Sequence, residues 1–103
     1  MAHIIYSTIN DINQAKKIAN ILVGEKIVAC VNIIPKIESI YRWKNKIEED
    51  TECVIVAKTT DKNVEKTILK IKENHPYDLP AIIAFKIDKA HNEFLKYIKD
   101  ETK

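Results

Sequence analysis

Apolar residues recur along the chain with two periods, and these periods predict where strands and helices lie. Alternating or continuous apolar runs rich in Ile and Val predict strands at residues 2–8, 27–34, 37–43, 47–59 and 81–87. Spacings of three and four predict two amphipathic helices. Their apolar positions are Ile12, Ala15, Ile18, Ala19 and Leu22 in the first helix, and Val64, Ile68 and Ile71 in the second. A short third helix is predicted at residues 93–99.

Turn-forming and helix-capping residues separate these segments. Gly24, the only glycine, stands where the first helix is expected to end. Pro35 cannot donate a ladder hydrogen bond, so the strand that contains it is predicted to be bent or to lie at an edge. Asn45 tolerates a positive φ and predicts the tip of a long hairpin. Thr60 or Asp61 is expected to cap the second helix.

The order of these elements is strand, helix, strand, strand, helix, strand. It predicts an α+β fold of ferredoxin-like β-α-β-β-α-β topology, with a long β-hairpin and a short C-terminal helix. The chain has 103 residues, of which 46% are hydrophobic. This length fits a single domain over residues 1–103 and is sufficient to bury one core.

The charged residues argue against a nucleic-acid partner. Seventeen basic side chains face fifteen acidic ones, the net charge is +2, and Arg42 is the only arginine. Nucleic-acid-binding domains usually carry a larger basic surplus clustered on one face. Residues 53–57, on the strand where an RNA-recognition motif would stack bases, include no aromatic residue. We therefore expect no nucleic-acid partner.

Targeting signals and reactive cysteines are not evident in the sequence. No apolar run approaches the roughly 20 residues that cross a bilayer. The first residues lack the basic flank and apolar core of a signal peptide, so we expect a cytoplasmic protein with no membrane partner. Cys30 and Cys53 stand alone in apolar runs, outside any C-x-x-C pair or zinc-ligand spacing. They are expected to be buried, reduced and inert.

The residue types needed for catalysis are also sparse. Ser7 and Ser39 lack the flanking glycines of a nucleophile elbow, and a single glycine cannot form a phosphate-binding loop. Arg42 lies between Tyr41 and Trp43 in a strand pattern, and not in a phosphate-cradling loop. We therefore expect no enzymatic activity.

Five linked segments of the chain resemble signature segments of the CutA divalent-cation tolerance family. Their order and spacing fit this family across about residues 4–98, and they comprise residues 29–35, 39–44, 47–50, 58–60 and 75–77. The resemblance implies a trimer whose subunits interlock through the long hairpin. It also implies a role in tolerance to copper and other divalent cations, or, in animal relatives, in anchoring acetylcholinesterase. No enzymatic reaction is established for the family.

The resemblance also implies a metal site, which this chain retains only in part. Some relatives bind copper through a cysteine on the first strand, the histidine of the His-Pro-Tyr segment, and a glutamate after the following proline. The corresponding residues here are Ser7, His75 and Ala81. A hydroxyl is a poor copper ligand and a methyl group is none, so we expect at most weak copper binding that depends on His75. The alternative is that His75 caps the end of the second helix. The sequence thus gives no certain cofactor, and a weakly bound divalent cation such as copper is the candidate.

The hairpin residues Tyr41, Arg42 and Trp43 are expected to lie at the trimer interface. Tyr41 and Trp43 are two residues apart and therefore share one face of a strand, where a monomer would expose both rings. They could instead pack within their own subunit. Two other functions stay open at this stage: a PII-like regulatory trimer that binds a small effector between subunits, and a purely structural adaptor.

Overall fold

Four strands form one antiparallel sheet, and three helices accompany it. The computed structural model describes residues 1–103. The strands are β1 (Ala2–Ile9), β2 (Cys30–Trp43), β3 (Lys46–Thr60) and β4 (Ile82–Lys86), arranged in the order β2-β3-β1-β4. The helices are α1 (Ile12–Gly24), α2 (Val64–Asn74) and α3 (Asn92–Asp100). The predicted α+β class and the element order are confirmed.

The main core lies between one face of the sheet and helices α1 and α2. Alternate residues of β1 and β3 point to this face, because side chains alternate along a strand. The fully buried side chains that meet here include Ile5, Ile9, Ile18, Leu22, Ile55 and Ile71. Ala15, Ile18 and Leu22 of the predicted apolar stripe of the first helix are buried against the sheet, whereas Ile12 at its start is 36% exposed.

The opposite face of the sheet, here called the open face, is largely uncovered. Tyr6 of β1 pairs with Val56 of β3 and Ile83 of β4, so these three side chains form one row across it. Ile83 and Phe85 are 49% and 51% exposed. Helix α3 covers only the end of the sheet at which β1 begins, where the buried Ile98 packs against Ala2 and Ala29.

The β2–β3 hairpin is the longest feature of the molecule. Its arms pair from Cys30 to Trp43, and a two-residue turn joins them at Lys44 and Asn45, with φ of 49° and 65°. Two successive positive φ angles are typical of the type I′ turn that matches strand twist. The predicted tip at Asn45 is confirmed. The strand register shifts between Ile34 and Ile37, around Pro35, and β2 is an edge strand, as the proline predicted.

Two predicted boundaries are wrong. Strand β2 begins at Cys30 and not at residue 27, because residues 27–29 are buried but belong to a bend. The N–H groups of Ile27 and Val28 both donate to the Leu22 carbonyl, which turns the chain back onto α1. Helix α1 does end at Gly24, but the positive φ of 59° belongs to Lys26.

The second error concerns the start of α2. Neither Thr60 nor Asp61 caps this helix, which begins at Val64 after a short 3-10 turn at Asp61–Asn63. The Asp61 carboxylate instead accepts hydrogen bonds from the N-terminal amine and from His3, which lowers its pKa. Although Asp61 lies near the start of α2, its carboxylate contacts residues far away in the sequence. The helix therefore starts without a side-chain cap.

The two cysteines differ in their surroundings. Cys53 is 4% exposed and its Sγ lies 3.4 Å from the Pro35 carbonyl. Burial raises the pKa of this thiol, and the negative charges of Asp11 and Glu52 add to the effect. The expected burial is confirmed for Cys53, and its low reactivity stays a prediction. The expected burial is wrong for Cys30, which is partly exposed on the edge strand β2.

Candidate functional site at the α2–β4 loop and the hairpin

The three positions that the resemblance aligns with the copper ligands of some relatives lie close together. Ser7 pairs with Ile82, which places it next to Ala81, and the Ser7 hydroxyl donates a 2.7 Å hydrogen bond to the Ala81 carbonyl. His75 follows the last residue of α2, and its ring reaches the Thr8 carbonyl of β1. The geometry thus joins β1, the end of α2 and the start of β4 at one place.

Both ring nitrogens of His75 are engaged by backbone groups. Nε2 lies 2.8 Å from the Thr8 carbonyl oxygen and must donate to it. Nδ1 accepts a 3.1 Å hydrogen bond from the Tyr77 N–H. A neutral imidazole offers one donor and one acceptor, and these two partners assign the tautomer. In this arrangement His75 has no lone pair free for a metal ion and instead fixes the α2–β4 loop to β1.

The surrounding residues do not add up to a copper site. The Ser7 hydroxyl is fully buried and already donates to a carbonyl. Ala81 has no ligand atom in its side chain, and Asp78 is exposed on the loop. No group of three or more His, Cys, Asp or Glu side chains in the chain could hold a metal ion. The side chains of one subunit therefore do not provide the cysteine, histidine and glutamate ligands that the resemblance implies for some relatives.

A larger cleft lies beside this position, between the hairpin and the α2–β4 loop. Its volume is about 580 Å³, and Tyr41, Arg42 and Trp43 contribute to its walls. These three residues lie on the hairpin, as predicted, but the cleft that they line was not predicted from the sequence. Tyr41 and Trp43 are each 41% exposed. They do not pack fully inside their own subunit.

Two phenol–carboxylate hydrogen bonds shape the cleft wall. The Tyr41 hydroxyl donates to Asp50, and the Tyr77 hydroxyl donates a 2.6 Å bond to Glu52 Oε2. The bond to Asp50 raises the pKa of Tyr41 to about 12. Burial and the bond to Glu52 raise the pKa of Tyr77 well above its usual value. Both phenols therefore stay protonated donors that hold the carboxylates in place.

Sequence reasoning missed the two carboxylates, although a signal was present. Glu48, Asp50 and Glu52 alternate along β3, so they share one face of the hairpin. Their cross-strand partner positions include Tyr41, opposite Glu48, and Ser39, opposite Asp50. Acidic residues at every second position of one strand, opposite an aromatic residue of the other strand, are the pattern that could have identified this wall of the cleft.

Comparison with known proteins identifies the family. The chain matches the family model described as CutA1 divalent ion tolerance protein over residues 3–101. It belongs to the CutA1 family. A chloroplastic CutA of Arabidopsis thaliana is 37% identical over 100 residues, which are 97% of this chain and 55% of that relative. The chain thus spans about half the length of this plant relative.

Solved CutA structures agree with the fold. The divalent cation tolerance protein of Thermus thermophilus superposes with a TM-score of 0.96 at 36% identity, with 100% of both chains covered. A protein named periplasmic divalent cation tolerance protein CutA from Archaeoglobus fulgidus superposes with a TM-score of 0.95 at 35% sequence identity, with 98% of both chains covered. None of the helices of this CutA1-family chain combines the length and apolarity needed to cross a membrane.

Proposed function

We propose that this CutA1-family chain acts in divalent-cation tolerance as a non-enzymatic homotrimer of ferredoxin-like subunits. The strand order β2-β3-β1-β4 supports the ferredoxin-like topology. The observation that carries the proposed assembly is the open face of the sheet. Apolar side chains from β1, β3 and β4 line it, and no helix covers its centre.

Large apolar side chains are exposed on the open face of the sheet. Ile34, Ile83 and Phe85 are 46%, 49% and 51% exposed on the open face. Several exposed apolar side chains on one uncovered sheet face are typical of association surfaces. The radius of gyration is 14.1 Å, whereas a compact chain of this length is expected near 13 Å. The projecting hairpin accounts for the difference and offers a second surface to a neighbouring subunit. The number of three subunits follows from the family resemblance.

Native mass spectrometry and matched lysine substitutions test the assembly. Phe85 lies on the open face and is 51% exposed, and Leu69 lies on α2 and is 56% exposed. Phe85→Lys is expected to yield monomers at micromolar concentration, because the charge would be buried in the interface. Leu69→Lys introduces the same charge at similar exposure and is expected to leave the trimer intact. A monomeric wild type, or a trimeric Phe85→Lys protein, would refute the proposal.

The metal part of the proposed function does not rest on a tight copper site in one subunit. We expect at most weak copper binding, because both nitrogens of His75 are engaged and Ser7 donates to Ala81. Calorimetry of the full chain with copper measures this directly. A submicromolar copper site would contradict the proposal.

The absence of catalysis and the cytoplasmic location are also part of the proposal. Ser7 and His75 are committed to backbone partners, which supports a non-enzymatic role. Cys30 and Cys53 are both free thiols, and unpaired cysteines are the rule in reducing compartments. Because the Arabidopsis and Archaeoglobus relatives are named chloroplastic and periplasmic, cell fractionation is the decisive measurement of location. Recovery outside the cytoplasmic fraction would overturn this part.

A regulatory trimer that binds a small effector is a second candidate function. The cleft of about 580 Å³ beside the hairpin favours it, since small-molecule sites typically measure about 300–1,000 Å³. Arg42 is the only base that lines the cleft, which makes a phosphate-bearing effector a poor fit.

A further inference from the structure

The cleft between the hairpin and the α2–β4 loop combines aromatic and acidic walls. Its chemistry-bearing residues are Tyr41, Trp43, Tyr77, Asp50, Glu52 and Asp78. Tyr41 and Trp43 also belong to the expected trimer interface, so the site would border a neighbouring subunit. Three carboxylates thus face one guanidinium, that of Arg42, in a protein whose overall net charge is +2. The cleft is therefore locally acidic on a molecule that is basic as a whole.

Glu52 is a largely buried carboxylate that has no cationic partner in the chain. It is only 7% exposed, and glutamates are rarely buried so far unless they are paired. Its Oε2 accepts the hydrogen bond from Tyr77, and no other hydrogen bond engages the carboxylate. None of the five ion pairs of the structure includes it. Oε1 accepts no hydrogen bond from the chain and is not a buried atom, so it is open to the cleft with no countercharge paired to it.

The shape and lining of the cleft favour an organic cation over a metal ion. A divalent cation needs several oxygen or nitrogen ligands converging on one point, and no such group of three exists. The volume of about 580 Å³ far exceeds that of an ion. Aromatic faces attract organic ammonium groups, and apolar ring surface accommodates a carbon chain that a metal ion does not have.

We propose that this cleft binds an aliphatic ammonium ion of the diamine or polyamine class. One charged nitrogen pairs with Glu52 Oε1, and the carbon chain lies along the rings of Tyr77 and Tyr41. A second nitrogen reaches Asp50 or Asp78, which matches the excess of two carboxylates over bases in the cleft. The phenol hydroxyls orient the carboxylates but do not neutralise them, so the charge remains available to the ligand. The inference goes beyond divalent-cation tolerance and does not require that function.

Calorimetry on the full chain with 1,4-diaminobutane and spermidine tests the inference. We expect one saturable site per chain for both amines, and no heat from 1,4-butanediol, which has the same carbon chain without the charges. Glu52→Gln keeps the shape of the side chain and its ability to accept from Tyr77, and it is expected to weaken binding at least tenfold. Glu49→Gln removes the same charge from an exposed residue of β3 outside the cleft and is expected to change affinity less than twofold.

Other outcomes overturn the inference. No amine binding at millimolar concentration would mean that the cleft is filled or neutralised otherwise, as by a neighbouring subunit. Equal weakening by Glu52→Gln and Glu49→Gln would show non-specific attraction. Displacement of the amine by magnesium or copper at lower concentration would show a divalent-cation site. Native mass spectrometry of the same samples keeps the two proposals apart, because a trimer without amine binding contradicts only this one, and amine binding by a monomer contradicts only the assembly.

Discussion

Replacing His75 by Ala tests whether this residue is a structural tie or a metal ligand. The substitution removes a hydrogen bond to the Thr8 carbonyl and one from the Tyr77 N–H. Each is worth about 1 kcal/mol net. It also removes a T-shaped contact with the Tyr77 ring at 4.5 Å, worth roughly 0.5–1 kcal/mol. We therefore expect the free energy of unfolding to fall by about 2–3 kcal/mol.

Thermal unfolding by circular dichroism measures this loss. For a domain of about 100 residues, 1 kcal/mol lowers the melting temperature by roughly 4–8 °C, so a decrease of roughly 8–24 °C is expected. Protein concentration must be equal in all samples, because subunit association adds to apparent stability. Copper calorimetry on the same variant is expected to match the wild type.

His91→Ala is the matched control. The His91 side chain is 71% exposed, and its Nε2 lies 3.7 Å from Glu93, which makes a weak surface pair. This control is expected to change stability by less than about 0.5 kcal/mol. If His75→Ala melts like the wild type, the two hydrogen bonds do not hold the loop. If it abolishes a tight copper site, His75 is a ligand and the assigned tautomer is wrong.

Three further predictions concern the hairpin and the thiols. Trp43→Ala should weaken subunit association by about 2 kcal/mol, seen on dilution in native mass spectrometry. Ile40→Ala, on the alternate face of the strand, should not, and equal effects would exclude an anchor role for Trp43. Native Cys53 should react with a thiol reagent far more slowly than Cys30, since it is 4% exposed and its pKa is raised; similar rates would contradict the described burial. Because the pKa of Tyr41 is raised from 10.0 to about 12, the stability from its hydrogen bond is complete below pH 10 and is lost as pH rises to about 12. Tyr41→Phe should remove this part of the pH dependence in denaturant unfolding, and an unchanged slope would refute it.

The secondary structure was predictable wherever one period dominated. The Ile and Tyr content identified β1, alternation helped to identify the return arm of the hairpin, and the spacing of Ile18 and Leu22 identified the buried stripe of α1. Apolar runs gave a wrong prediction at Ile27 and Val28, because a buried bend is as rich in apolar residues as a buried strand. Nothing in the local sequence shows that their N–H groups return to the Leu22 carbonyl.

The site was less predictable, because its contacts join distant parts of the chain. The position of His75 at a helix end could be predicted from Pro76. Its partner at Thr8, 67 residues earlier, depends on how α2 packs against β1. The bond between Tyr77 and Glu52 depends on the α2–β4 loop reaching β3. The alternation of acidic residues on β3 was visible in the sequence. Which residues of β2 lie opposite them depends on the strand register, and this register shifts near Pro35.

The central place of β1 in the sheet has a consequence for biosynthesis. This first strand is hydrogen-bonded on one side to β3 and on the other to β4, which ends at Lys86. At 5–20 residues per second, about 4–16 s separate the synthesis of β1 from that of β4. The β2–β3 hairpin closes locally within microseconds, but β1 must wait for β4 with an unpaired apolar edge. The nascent chain is therefore most prone to aggregation just before its last third is complete, and this interval is when a chaperone that shields strand edges would have the greatest effect on yield.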